Sequence, residues 1–178
     1  MKKFMMVAVA LICMTMTSVA LSSCGDDDDD KGNDGSQFST AVLDFTLITS
    51  DETLAVFDVT AEYYDNGKLQ SEKLTQSTFK KTVKATLPAN LGARLFFNVK
   101  SGVDVASLKK VEATYGYEYS TWCESANGAK GKIVIKEDLK HASLSGDKVE
   151  AWLAKNSDLI KFGYDYTANG EIVNTGWK

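Results

Sequence analysis

The chain has 178 residues, 44% of them hydrophobic and 25% charged, with a formal net charge of −4; that is enough for one domain and too few for two comfortable ones. From Ser36 onward 17 basic residues face 18 acidic ones, so no basic stripe exists and nucleic acid is a poor partner on electrostatic grounds. Cys13, Cys24 and Cys123 fall in three segments of different kind, which excludes a disulfide framework.

In chain order, Lys2 and Lys3 precede an apolar run, Phe4 to Ala20, of 17 residues. That is marginal for a bilayer span of roughly 20, and it ends in small residues, as a signal peptide does. The ending, Leu21-Ser22-Ser23-Cys24, resembles the lipobox of bacterial lipoprotein signals: an aliphatic residue, two small residues and a cysteine. The resemblance implies that residues 1–23 are removed and that Cys24 takes the diacylglyceryl group. Cys24 is then the first residue of the mature protein and its link to a membrane.

Gly25 and five aspartates, Asp26 to Asp30, follow. So dense a run of like charge stays extended and solvated, which makes residues 24–37 a tether. A calcium loop would need the D-x-[DN]-x-[DN]-G spacing, and Gly32 falls where a ligand should be. An acidic run behind a lipidated cysteine resembles the export signal of Bacteroidetes surface lipoproteins, which implies display on the outer face of the outer membrane. Gly25, standing where an aspartate would signal retention, argues against the inner membrane by the enterobacterial sorting rule.

Residues 38–178 read as a single domain of strands. Ala41, Leu43, Phe45 and Leu47 alternate with Asp44 and Thr46, and Leu54 to Tyr64 repeats the period of two. Asp65-Asn66-Gly67 supplies a hairpin turn, and the polar return strand, Lys68 to Thr75, is expected at a sheet edge. The surrounding Tyr63-Tyr64-Asp65-Asn66-Gly67-Lys68 resembles small β-rich Bacteroides lipoproteins, a likeness that implies no particular activity. Further strands are expected over Ser77 to Leu87, Ala93 to Lys100, Lys110 to Trp122 and Lys132 to Lys136, with a turn at Asn127-Gly128. One helix, capped by Asp147 and striped by Val149, Trp152 and Leu153, ends at Asn156. A last hairpin, Leu159 to Thr167 and Glu171 to Trp177, turns at Asn169-Gly170. One wet face per strand implies antiparallel pairing and hence a mainly β fold, an antiparallel β-sandwich with one short helix. A closed barrel with a cavity, able to carry a lipid, is the alternative.

Catalytic groups are scarce, which points away from an enzyme. His141 is the only histidine and is expected on the surface just before the helix. Cys123 reads as a small inert residue beside a hairpin, and no phosphate loop exists, Gly128, Gly131 and Gly163 being isolated turn glycines. Glu112 and Glu118 share a strand face but lie roughly 20 Å apart, too far for a glycosidase pair. No cofactor or metal is implied. The row Tyr115, Tyr117, Tyr119 shares a face with Val111 and Ala113 and reads as core. Trp122 and Tyr64 fall instead on polar faces beside turns, and with Trp177 they are the candidate ligand-binding residues. The expected function is a non-catalytic binding or accessory module at the cell surface, with a glycan, a peptide or an outer-membrane protein as partner. Strand addition at the Lys68 to Thr75 edge is the structural alternative.

Overall fold

The computed structural model describes residues 37–156 and 160–178; the expected signal peptide, the Cys24 lipobox, nearly all of the acidic tether and the start of the last hairpin at Leu159 lie outside the described residues. The strands are β1 (Phe38–Thr49), β2 (Phe57–Asp65), β3 (Lys68–Lys73), β4 (Thr78–Thr86), β5 (Ala89–Val99), β6 (Val111–Ser125), β7 (Val134–Leu144), β8 (Ile160–Tyr166) and β9 (Ile172–Asn174). Two short helices, α1 (Asp51–Val56) and α2 (Val149–Asn156), lie between them.

The strands form two antiparallel sheets, ordered β4-β1-β6-β7 and β3-β2-β5-β8-β9. The pairs β2–β3, β6–β7 and β8–β9 are hairpins, and every other connection passes from one sheet to the other. This is the mainly β, sandwich-like arrangement that the alternation calls for. The closed barrel does not form. The two sheets remain separate, and the inner residues of both, among them Phe45, Phe57, Tyr63, Leu91, Leu95, Tyr119 and Phe162, belong to one buried cluster.

Turn chemistry sets the β2–β3 register. Asn66 (φ 50°) and Gly67 (φ 72°) are both left-handed, which matches the twist of a two-residue hairpin. The tyrosine row faces inward as its company requires: Tyr115 and Tyr119 are buried and Tyr117 is half-buried against the core. Two hydroxyl pairs satisfy the polar tips in the interior. Tyr119 bonds Tyr164 at 2.6 Å, while Thr121 donates to the Val42 carbonyl at 2.6 Å and pairs with the Tyr166 hydroxyl.

Four local expectations are corrected. Leu54 to Val56 are helical rather than strand: the Ser50 side chain caps α1 by accepting from the Thr53 N–H at 3.2 Å, and Asp51 and Glu52 occupy its first turn. Thr53 then ties α1 to β6, its hydroxyl accepting from the Thr114 N–H at 2.8 Å. β7 runs on to Leu144, well past Lys136, because the backbone of β6 pairs it over that whole length despite Glu137 and Asp138. His141 is accordingly exposed, as expected, near the end of this strand. Asp147 is no helix cap; it sits inside a 3-10 turn, Gly146–Lys148, and accepts from the Ser145 hydroxyl. Gly163 is not in a turn but mid-strand in β8, directly opposite Gly92 of β5.

A candidate ligand-binding site

β2 directs Asp58, Thr60, Glu62 and Tyr64 to the outer face of the five-stranded sheet, because Val59, Ala61 and Tyr63 between them are buried. Across the ladder Glu62 is paired with Arg94 of β5. Their side chains meet on this face, the Arg94 Nη2 lying 2.6 Å from Glu62 Oε2.

The chain beyond β9 then returns over the same face. Thr175 N–H donates to the Gly163 carbonyl at 3.0 Å, and the crossing is possible because β5 and β8 carry no side chain there. A Cβ on Gly92 would lie 2.9 Å from the Gly163 Cα, and one on Gly163 would overlap the Gly176 carbonyl oxygen. Trp177 thereby lands on Tyr64, with ring centroids 5.0 Å apart and planes at 25°. The Arg94 guanidinium lies 5.2 Å from the Trp177 centroid, a cation–π contact. The Tyr64 hydroxyl donates to the Lys178 backbone oxygen at 3.1 Å. The Lys178 ammonium pairs with Asp165, which also accepts from the Asn90 amide at 2.7 Å. Lys178, and after it Asn90, holds the Asp165 carboxyl below the usual carboxylate range.

Tyr64 is also one wall of a cleft of about 580 Å³, completed by Asn66, Gly67, Ala85, Thr86, Pro88, Ala89 and Asn90. The size is that of a small-ligand site. Its described lining offers one aromatic ring, two amides and a hydroxyl, and no ionised side chain. Trp177 stacks on this tyrosine.

Of the three candidates, Tyr64 and Trp177 thus meet, while Trp122 stands apart on the outer face of the other sheet. Trp122 is half-buried beside its cross-strand neighbour Val42, which is fully buried although it points away from the core. The Lys130 ammonium covers its ring at 4.1 Å, and Nε1 is buried without a protein acceptor. Occupied in this way, the indole offers less free surface than its place beside a turn suggests. Sequence reasoning missed Arg94, Glu62, Asn90 and Asp165; the one available signal was a glycine in each of β5 and β8, where a strand glycine marks close backbone approach.

Among the described residues no cluster of three or more His, Cys, Asp or Glu side chains could hold a metal ion, and no helix is long and apolar enough to cross a membrane. The fold and site define an antiparallel two-sheet protein with an aromatic-walled surface cleft. Comparison with protein-family models, with curated proteins and with solved structures finds no match to this chain.

Proposed function

We propose that this chain is a lipid-anchored, surface-displayed binding module without catalytic chemistry, and that it holds a short neutral glycan against Tyr64. The reading rests above all on Tyr64, which lines the 580 Å³ cleft and stacks on Trp177, itself covered by the Arg94 guanidinium. A sugar ring presents apolar C–H faces to an aromatic ring and hydroxyl groups to amides and hydroxyls, and Asn66, Asn90 and Thr86 are neutral partners of that kind. A charged peptide would find no counter-ion among the described lining residues. The address is supported by the Leu21-Ser22-Ser23-Cys24 lipobox and the aspartates after it.

The test is glycan-array screening of the full chain, followed by titration calorimetry with the best oligosaccharide. Tyr64→Ala is expected to weaken binding at least about tenfold, roughly 1.4 kcal/mol, with the circular dichroism spectrum unchanged. Trp122→Ala is expected to leave affinity alone. Retention of no glycan by the native chain, or equal affinity in Tyr64→Ala, overturns the ligand assignment. For the address, Cys24→Ala should release the protein from the membrane fraction. A domain that resists protease on intact cells until the outer membrane is broken would rule out surface display.

A further inference from the structure

The four sheet edges differ in how they are defended. β4 carries Lys80, Lys81 and Lys84, β3 is short with Lys68, Glu72 and Lys73, and β9 has three residues; charge and brevity both discourage a further strand. β7 is different. It is an edge of 11 residues without glycine or proline, and its outer face shows Ile135 and Leu139 at 70% and 63% exposure, with Ile133 just before it at 47%. Leu139 lies open because its cross-strand neighbour on β6 is Gly116, whose missing side chain leaves room for the leucine to lie flat.

The sequence of β7 is also complementary to itself. In antiparallel pairing about a two-fold axis through Leu139, Asp138 of each copy faces Lys140 of the other, and Glu137 faces His141. Lys136 faces Ala142, Ile135 faces Ser143, and Val134 faces Leu144, so all of Val134–Leu144 is used. An axis through any other residue from Lys136 to His141 sets an ionisable group against its own copy, which is unfavourable. In one chain, Asp138 and Lys140 already pair along the strand at 3.0 Å; they need only exchange partners across the axis.

We propose that β7 is a homodimerisation edge, at which a second copy of this chain adds its β7 antiparallel in the register centred on Leu139, joining two four-stranded sheets into one. The new backbone bonds supply affinity, and the alternating charges select the register. β7 and β4 are the opposite edges of their sheet and no β7 residue lines the Tyr64 cleft, so the inference stands apart from the glycan reading.

Sedimentation velocity of the detergent-solubilised full chain over a range of concentrations should show a reversible monomer–dimer equilibrium. Leu139→Cys, on the axis, should give a disulfide-linked dimer on mild oxidation, since directly opposed strand residues fall within disulfide reach. Asp138→Lys, which sets like charges opposite twice per dimer, should weaken association roughly tenfold, and the exchanged pair Asp138→Lys with Lys140→Asp should restore it. Unchanged thermal melts would show the variants folded. A monomer at every concentration, a dimer indifferent to Asp138→Lys, or failure of the exchanged pair to rescue would each overturn the proposal.

Discussion

Trp177 and Tyr64 come from distant parts of the chain, one beyond β9 and the other at the end of β2, and stack with centroids 5.0 Å apart. Neither strand brings them together by pairing, because β5 and β8 lie between β2 and β9. The contact depends on the chain crossing that gap close to the sheet, and the opposed glycines Gly92 and Gly163 set the height of the crossing.

Gly163→Ala is therefore expected to do more than Trp177→Ala. A methyl group at position 163 overlaps the Gly176 carbonyl and lifts the whole segment, losing the Thr175 bond, the stack and the Lys178–Asp165 pair together. The expected cost is about 1–3 kcal/mol in urea unfolding, with easier acrylamide quenching of tryptophan fluorescence. Trp177→Ala should cost about 1 kcal/mol. Equal stability of Gly163→Ala and the native chain would show that the crossing does not hold the site.

Thr121 tests the buried hydroxyls. Thr121→Val keeps the shape but removes the donor to the Val42 carbonyl and leaves the Tyr166 hydroxyl buried without its partner. A loss of about 1–3 kcal/mol is expected by chemical denaturation. Adding Tyr166→Phe should recover part of it, because both polar groups are then gone. Strictly additive losses would mean that the two hydroxyls are not coupled.

The strand faces were legible because most inner-face positions are apolar at a period of two, and the burial of Ala41, Leu43, Phe45 and Leu47 follows that pattern. What misled was local chemistry that competes with it. Ser50, Asp51 and Glu52 cap and charge a helix that the apolar run Leu54 to Phe57, leading straight into an alternating strand, disguises, and Glu137 and Asp138 hide an edge strand held by backbone bonds. The site was half legible. An aromatic at an outward position beside a turn marks Tyr64, but its meeting with Trp177 is a product of strand order, which no periodicity encodes.

Cys123 is expected to stay unmodified in the folded protein. It lies on the inner face of β6, and burial raises its thiol above the ordinary range, so little thiolate forms near neutral pH. Peptide mapping after maleimide treatment should find Cys123 labelled only once denaturant is added. Rapid labelling under native conditions would mean that β6 opens readily.

The alkaline limit of stability should come from the tyrosines that bridge the sheets. Burial, and for Tyr119 also its bond to Tyr164, raises the phenols of Tyr119 and Tyr166 far above their ordinary value near 10. A phenol whose folded pKa is raised holds its proton more tightly in the native state. Its contribution to stability is complete below pH about 10 and is lost as the pH climbs above that value, because only the unfolded chain then releases the proton. Stability should accordingly be flat with respect to these groups through neutral pH and fall steeply above pH about 10. The tyrosinate absorbance of this pair should appear together with loss of the near-ultraviolet circular dichroism. Ionisation of Tyr119 and Tyr166 near pH 10 with the native spectrum intact would show that the hydroxyl cluster is open to solvent.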